Sequence, residues 1–436
     1  MFSNETYSSR RDNLMKNLGE GVIILPSYPE RILSNDTYHK FRQQNEIIYY
    51  SGFPEPETTV VIENQGKDIL YHLFVRKRDP LRETWNGIRY GLEGAKKKFN
   101  PDFVYESNEL EKQLFEILKK YENVFLQSGE NSTTDDIVFS VIKKAINATD
   151  RNGKGPINIK NPIDVFHKIR AIKGKEEISI CEKSAKISSN AMTNAMANTR
   201  PGMNEYQIEA LLEFEFRNQG AQRPAYNSIC GNGVNGTILH YEDNNQELID
   251  GNLLLVDAGC QYQDYCADIT RTWPVNGKFS DAQRKIYELV LSIQKECIEM
   301  IKPDIKFQDI SNHAIKLITR GLLKIGLLEG VLEDLIKDEK YKRFYMHGLG
   351  HWVGMDVHDT GRFNIKEEKL IPGLYVTVEP GIYIPDDEDI PLKFRGIGVR
   401  IEDDVLVTAT GYEILTKDVI KEIDQIEEIV GSKVTL

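Results

Sequence analysis

The chain has few cysteines for its 436 residues, and their arrangement excludes two common ways of stabilising a protein. The five cysteines form an odd set, and no two of them have Cys-x-x-Cys spacing. A disulfide framework uses an even set, and a thiolate zinc site uses closely spaced pairs. We therefore expect buried, reduced thiols at Cys181, Cys230, Cys260, Cys266 and Cys297.

Long apolar runs are also missing, as are the features of a targeting peptide. Runs such as residues 22–25 and 253–256 have the length of strands, whereas a membrane span needs roughly 20 apolar residues. The N-terminal residues contain no basic stretch followed by an apolar one, and they are not Arg-rich and acid-poor. We therefore expect no membrane partner and a cytoplasmic location.

Positive charge is the third shortage. The chain has 55 lysines and arginines against 67 aspartates and glutamates, which gives a net charge of -12. Such a chain repels a phosphate backbone, and no basic stripe interleaved with aromatic residues is present. The charge pattern therefore excludes nucleic acid as a partner.

The length predicts two domains, because one hydrophobic core rarely serves so many residues. In the first 150 residues, helix patterns alternate with β-rich runs, which predicts an α/β domain. A passage rich in Gly, Asn and Lys at 149–156 breaks the periodicity, so we place the domains at 1–160 and 161–436. The β-rich runs are 20–26, 47–50, 58–63 and 69–75, and the helix patterns are 10–18, 108–120 and 135–146.

The second domain mixes helices with hairpin-like strands without regular βαβ alternation, which predicts the α+β class. It also contains a short internal repeat. Residues 254–259 and 376–381 each form an apolar strand that ends in a carboxylate, followed by one residue and then glycine. These carboxylates are Asp257 and Glu379, and a further acid follows each of them, Asp268 and Glu402 respectively. Four carboxylates on strand-like segments indicate a bound cation.

The two aspartates can face a single site. Asp257 and Asp268 lie 11 residues apart, and the stretch 259–265 between them can fold back as a hairpin. A buried carboxylate needs a partner charge or a metal, because its desolvation alone costs several kcal/mol. The alternative, that both aspartates cap turns, stays open at this point.

Three of the eight histidines fall within residues 346–359, and this clustering indicates a functional loop. His347 and His351 have the i, i+4 spacing of a helical zinc motif. However, Gly348 occupies the position of that motif's glutamate, and two intervening glycines disfavour a helix. The three histidines, His358 included, fit a glycine-rich loop better than a helical zinc motif. Such a loop would present one metal ligand and two substrate contacts.

Adding His351 to the four acids gives an oxygen-rich donor set. Hard or borderline divalent ions such as manganese prefer donors of this kind. Two ions held by bridging carboxylates can activate a water molecule and polarise a carbonyl, which is the chemistry of amide hydrolysis. A salt-bridged core without metal is the structural alternative.

Eight segments spread over nearly all of the chain are specific enough to compare with known families. They are Arg42–Glu46 with Tyr49–Phe53, Asn227–Gly233, Asp257–Gly259, Ala267–Thr272, Met346–Asp359, Val378–Gly381 and Arg395–Asp404. These segments resemble the pita-bread metallopeptidases and, within them, the aminopeptidase P family. The resemblance implies a C-terminal pita-bread catalytic domain preceded by an α/β N-terminal domain. It also implies cleavage of the first residue from peptides whose second residue is proline.

The resemblance further implies two Mn²⁺ ions, with Zn²⁺, Co²⁺ or Fe²⁺ as substitutes. A hydroxide between the ions would attack the scissile carbonyl, and Glu379 would pass its proton to the leaving nitrogen. His358 would stabilise the oxyanion, and His240 and His347 would line the proline side. Arg400 would orient a ligand or a substrate carboxyl. The implied metal ligands are Asp257, Asp268, His351, Glu379 and Glu402, and the implied substrate contacts are Glu46, Trp85, Arg170 and Tyr226.

Alternatives remain for the function and for two of the substrate contacts. An Xaa-Pro dipeptidase would share the metal site, and a non-catalytic pita-bread binding protein would lack ligands that are present here. For Trp85 and Arg170 the alternatives are a surface aromatic and an interdomain salt bridge.

The resemblance implies a homodimer or homotetramer. We also expect acids between Pro385 and Pro391 to repel a dipeptide's carboxylate, so that longer peptides are cleaved better.

Overall fold

The computed structural model describes residues 2–149, 151 and 155–433. Its contacts divide the chain into two compact units, Met1–Ile169 and Arg170–Leu436. Residues 150 and 152–154 of the predicted linker lie outside the described residues, and the predicted boundary at residue 160 stays a prediction. Within the described residues, no helix combines the length and the apolar character that crossing a membrane requires. The five cysteines are free and buried, as predicted.

The N-terminal unit is built on a mixed six-stranded sheet with the order β6-β5-β4-β1-β7-β8. Strands β2 and β3 form a separate hairpin. The strands are β1 Gly21–Pro26, β2 Ile32–Ser34, β3 Thr37–Tyr38, β4 Thr59–Asn64, β5 Ile69–Val75, β6 Phe103–Glu106, β7 Asn123–Leu126 and β8 Asn158–Lys160. The helices are α1 Asn4–Leu18, α2 Asn45–Ser51, α3 Pro80–Asn86, α4 Gly91–Phe99, α5 Leu110–Leu118, α6 Ser132–Thr149 and α7 Ile163–Ala171.

The predicted strand at residues 47–50 is wrong, because these residues form helix α2. Tyr49 and Tyr50 are buried, so the run lacks the alternation that would separate a strand from a helix. Gly52 ends the helix in the left-handed region at φ 68°. Arg10 and Arg11 donate to the carbonyls of Tyr49 and Tyr50 at 3.1 and 2.8 Å. These two bonds satisfy carbonyls that the helix end leaves unpaired.

The C-terminal unit combines helices with short antiparallel sheets, in agreement with the predicted α+β class. Its sheets have the orders β10-β11-β14, β13-β12-β9, β15-β18-β19 and β16-β17. The helices are α8 Lys175–Asn198, α9 Glu205–Asn218, α10 Asp281–Glu299, α11 Phe307–Ile325, α12 Leu332–Lys337 and α13 Ile423–Ile429. The strands are β9 Arg223–Pro224, β10 Ile229–Asn232, β11 Leu253–Asp257, β12 Cys260–Tyr262, β13 Tyr265–Cys266, β14 Thr270–Pro274, β15 Tyr375–Val378, β16 Gly381–Tyr383, β17 Gly398–Arg400, β18 Asp403–Val407 and β19 Tyr412–Ile414.

One hydrophobic core joins the helices of this unit to its strands. Met192 on α8 and Val290 on α10 belong to the same buried cluster as Val256 on β11 and Val376 on β15. Burial of such side chains is worth about 1.5–3 kcal/mol each relative to exposure. The strands are therefore held rigidly at one face, and the acids at their ends are placed by the core.

The predicted repeat is present in the structure. Strand β11 pairs antiparallel with β14, and β15 pairs antiparallel with β18. Asp257 is the last residue of β11, and Asp268 lies two residues before β14. Glu379 directly follows β15, and Glu402 directly precedes β18. Each strand pair therefore delivers two carboxylates at one end.

Candidate metal centre

A cavity of about 440 Å³ lies where the two strand pairs of the C-terminal unit end. Most of the residues predicted to carry the chemistry line it. Apolar side chains and exposed polar ones complete the wall. The predicted residues at the cavity are Tyr226, His240, Asp257, Asp268, His347, His351, His358, Glu379, Arg400 and Glu402.

Three of the predicted ligands approach one another closely. Asp268, His351 and Glu402 each offer a donor atom, and these atoms lie within 4.8 Å of one another. The Nε2 atom of His351 is 3.4 Å from Asp268 Oδ2 and 3.6 Å from Glu379 Oε1. Nitrogen and oxygen ligands bind divalent ions such as zinc at roughly 2.0–2.2 Å. Donors separated by these distances can therefore share a cation between them.

The aspartate side of the site is anchored by a tyrosine and an arginine. The hydroxyl of Tyr226 lies 2.5 Å from Asp257 Oδ1 and also contacts Asp268 Oδ1. Arg400 Nη2 donates to Asp257 Oδ2 at 2.6 Å, and its Nη1 donates to the hydroxyl of Tyr383 at 2.8 Å. Arg400 is buried, so its guanidinium orients the Asp257 carboxylate from behind.

The glutamate side has weaker anchors. Arg400 Nε donates to the Thr270 hydroxyl at 3.0 Å, and that hydroxyl donates to Glu402 Oε2 at 2.6 Å. Glu379 accepts a longer bond, 3.5 Å, from the hydroxyl of Thr377. The backbone fixes Glu379 instead, because its N–H donates to the carbonyl of Leu349 at 2.9 Å.

The histidine loop runs along strand β15 and is not helical, as its glycines predict. The Thr377 N–H donates to the His351 carbonyl at 2.9 Å, and the His351 N–H donates to the Thr377 hydroxyl at 3.0 Å. A Cβ atom at Gly350 would lie 2.0 Å from the carbonyl oxygen of Thr377. Only glycine therefore allows the approach that brings His351 to the acids.

His347 is held as a neutral imidazole. Its Nδ1 lies 2.7 Å from the carbonyl oxygen of Gly348, so Nδ1 carries the proton. Its Nε2 then accepts from the hydroxyl of Tyr383 at 2.7 Å. Burial, together with the Arg400 charge, lowers the pKa of His347 to about 3. Burial and the nearby His351 also lower the pKa of His358, whose ring packs edge-on to His351 at 4.3 Å.

The electrostatics of the site fit a pair of divalent cations. Burial raises the pKa values of Asp257, Glu379 and Glu402, and the other site acids raise that of Glu402 further. Burial lowers the pKa of His351, but the hydrogen bond that its ring donates to Asp268 and the Glu379 charge outweigh burial and raise the pKa to about 9. Among the described residues that line the cavity, Arg400 is the one arginine or lysine. The donor set is thus oxygen-rich and short of positive charge, which suits hard or borderline divalent ions.

Three predicted substrate contacts do not line this cavity. Arg170 is buried, and its Nη2 lies 2.5 Å from Asp359 Oδ1 and 3.5 Å from Asp356 Oδ2. Trp85 and Glu46 belong to the N-terminal unit, where Trp85 on α3 is 87% exposed and Glu46 on α2 is buried. Arg170 therefore pairs with acids outside the predicted donor set, and the substrate contacts of Trp85 and Glu46 stay predictions.

The acidic loop between Pro385 and Pro391 also differs from expectation. Its Asp387 and Asp389 carboxylates bind Arg343 at 2.9 and 2.7 Å, and none of the loop residues lines the cavity. Arg343 therefore neutralises two of these acids, and the expectation that they repel a dipeptide's carboxylate from the cavity wall is not supported.

Several residues of the site escape sequence reasoning. Thr270 lies two positions after Asp268, and strand alternation could have placed both side chains on one face. No local sequence pattern predicts Tyr383 or Glu242 at the site. Their partners, His347 and Arg400 for Tyr383 and Asn227 for Glu242, lie at least 15 positions away in the chain. The cavity wall also includes Asn227, Ile229, Leu239 and Val357.

The fold and the site together define a metallopeptidase of the pita-bread type. The chain belongs to this class by family as well: metallopeptidase family M24 matches residues 179–409, and the aminopeptidase P N-terminal domain matches residues 7–125.

Relatives and solved structures agree with this membership over the full length. Xaa-Pro aminopeptidase of Escherichia coli (strain K12) is 38% identical over 431 residues, which cover 98% of each chain. Proline aminopeptidase P II from Yersinia pestis superposes with a TM-score of 0.96 at 38% identity, covering 99% of this chain and 100% of that chain. Zinc-substituted E. coli aminopeptidase P in complex with product superposes with a TM-score of 0.96 at 37% identity, covering 100% of both chains.

Proposed function

We propose that the protein is an Xaa-Pro aminopeptidase, a two-metal enzyme that removes the first residue from peptides whose second residue is proline. The observation that carries this proposal is the convergence of four carboxylates and His351 in one cavity. The names and the full-length similarity of the relatives support the substrate class. We keep the domain bounds 1–160 and 161–436 as part of the proposal.

The two ions would be held by Asp257, Asp268, His351, Glu379 and Glu402, which fit the donor preferences of divalent manganese. When bound, such ions polarise the scissile carbonyl and lower the pKa of a water molecule. Zn²⁺, Co²⁺ and Fe²⁺ are the alternatives to Mn²⁺, and loading each metal separately would rank them.

The chain's own residues supply orientation and proton transfer. Glu379 is half-buried at the cavity, and we assign to its carboxylate the acceptance of a proton and its delivery to the leaving nitrogen. Arg400 and Tyr226 hold Asp257 in one orientation, which supports a role for Tyr226 in placing the aspartates. We assign His240 and His347 to the proline side and His358 to the oxyanion.

Exposed apolar side chains on helix α3 and just after it support a homodimer or homotetramer. Leu81 and Trp85 on α3, and Ile88 two residues past its end, are each more than 80% exposed. Exposed apolar groups that form one patch mark protein–protein contact surfaces. We retain Trp85, Arg170 and Glu46 as proposed substrate contacts, and a cytoplasmic location remains part of the proposal.

The test is hydrolysis of three peptides by the manganese-loaded protein. We expect rapid cleavage of Gly-Pro-Gly-Gly, poor cleavage of Gly-Ala-Gly-Gly, and a lower kcat/KM for the dipeptide Gly-Pro. Cleavage of Gly-Pro at an equal or higher rate would assign the protein to the dipeptidases. Failure to cleave any of the three with metal bound would overturn the enzymatic proposal.

A further inference from the structure

The cavity contains one carboxylate that the proposed metal centre does not use. Glu242 lines the cavity together with the four proposed acidic ligands. Those four are buried or half-buried, whereas Glu242 is exposed. Glu242 therefore lies at the rim, where the cavity meets solvent.

Within the described residues, this rim carboxylate is held by an amide and has no cationic partner. The side-chain amide of Asn227 donates to Glu242 Oε2 at 2.8 Å. Asn227 follows Tyr226, whose hydroxyl contacts Asp257 and Asp268, so the rim and the site share one segment. Among the residues that the structure describes, no lysine, arginine or histidine forms an ion pair with Glu242. Its charge is thus left to act on whatever passes the rim.

An enzyme that removes one N-terminal residue must hold the amino end of the peptide inside the cavity. The remainder of the peptide then leaves past the rim. In a dipeptide the free carboxylate follows the proline directly and stays near the cavity, whereas in a longer peptide the third residue occupies this region. Screening over roughly 8–10 Å weakens the effect of charges farther along.

We propose that Glu242 determines the charge preference of the enzyme beyond the proline, favouring a cationic third residue and disfavouring an anionic group there. This inference rests on the proposed function and names a specificity residue for it. An exposed ion pair changes an equilibrium by about 1.5- to 5-fold. We therefore expect a preference of that size.

The experiment compares three amidated tetrapeptides, Ala-Pro-Lys-Ala, Ala-Pro-Gln-Ala and Ala-Pro-Glu-Ala, which differ only at the third residue. Wild type should cleave the Lys peptide with a kcat/KM about 1.5- to 5-fold above that of the Gln peptide, and should cleave the Glu peptide most slowly. Higher ionic strength should reduce the preference. In Glu242→Gln the Lys-to-Gln ratio should fall to about 1, and the penalty on the dipeptide Gly-Pro should shrink.

Asp243→Asn is the matched control, because Asp243 is an exposed acid next in the chain that does not line the cavity. It should keep the wild-type ratio. Equal cleavage of the three peptides by wild type, or a preference that survives in Glu242→Gln, would overturn the inference. Cleavage of Gly-Pro-Gly-Gly reports separately on the proposed function, so the two can fail independently.

Discussion

Glu402 and Asp403 are consecutive and buried, but they lie in two regions with opposite charge balance. Glu402 lies in the carboxylate site, where burial and the charges of Asp268 and Glu379 raise its pKa well above the ordinary value. Asp403 lies in a buried ion-pair cluster, which we define as Asp403, Arg271 and Lys421. Both cations contact the Asp403 carboxylate at 2.6 Å.

The ion-pair cluster contains the cations that balance its acid, whereas the carboxylate site has more acids than cations. Burial alone raises the pKa of Asp403, but the charges of Arg271 and Lys421 outweigh it and lower the pKa to about 2. Gln294 and Thr416 donate to the same carboxylate at 2.8 and 2.7 Å. The chain's own cations balance the Asp403 carboxylate, whereas the acids of the neighbouring site outnumber the cations beside them. That acid excess marks the site as a place for external cations.

Loss of the proton acceptor, Glu379, should lower turnover more than any other change considered. Glu379→Gln keeps the size of the side chain but removes its charge and its basicity, and we expect turnover to fall by roughly 10²–10⁴-fold. The measurement is kcat on Gly-Pro-Gly-Gly, with circular dichroism as a control for folding. Retention of a tenth of the wild-type rate would show that another group moves the proton.

A substitution in the ion-pair cluster should lower the free energy of unfolding. Asp403→Asn leaves Arg271 and Lys421 without their buried counter-charge, and breaking such a pair costs about 3–5 kcal/mol. Urea unfolding measures this loss. The variant should still bind metal while folded, and a loss of metal without a loss of stability would contradict the separation of the two regions.

The balance of burial against a nearby cation can also be tested at Glu63 in the N-terminal unit. Burial alone raises the pKa of Glu63, but the hydrogen bond and charge of His72 outweigh it and lower the pKa from 4.5 to about 2. Since the folded pKa lies below the unfolded one, the stabilisation is present above about pH 4.5 and is lost as the pH falls toward 2. Glu63→Gln should therefore cost about 1–3 kcal/mol near pH 6 and less at pH 3. A cost that does not vary with pH would refute this account.

A site acid should behave in the opposite way when metal is absent. In the metal-free protein Glu402→Gln relieves repulsion from Asp268 and Glu379, so Tm should rise by about 2–4 °C, or ~1 kcal/mol. Thermal unfolding after chelation gives the comparison with wild type. A drop in Tm would mean that Glu402 is already balanced by groups within the chain.

Sequence patterns predict this fold well where the periodicity is clear. They give β5 Ile69–Val75 at the observed bounds and β4 Thr59–Asn64 to within one residue at each end. They fail for α2 Asn45–Ser51, because residues buried on every side lose the alternation on which the distinction depends. The short helices α3 and α12 also lack a recognisable pattern, since so few turns carry little periodicity.

For the site, the sequence predicts which residues converge and that Arg400 orients a ligand or a substrate carboxyl, but it does not predict which carboxylate Arg400 holds. The repeat and the histidine cluster suffice to bring Asp257, Glu379 and His351 together. The anchoring of Asp257 by Arg400 crosses from β17 to β11, 143 positions apart in the chain, and no local pattern encodes it. The pairing of Arg170 with Asp359, 189 positions apart, is hidden for the same reason.

The acid excess of this cavity should bind two divalent cations, and we expect the activity to require both. The most direct measurement is the metal content per chain by mass spectrometry, taken with the kcat on Gly-Pro-Gly-Gly during titration of the chelated protein with Mn²⁺. We predict no activity without metal, full activity at about two ions per chain, and a rise in Tm with binding. Full activity in protein shown to contain no metal, or full activity at one ion per chain or fewer, would contradict this requirement.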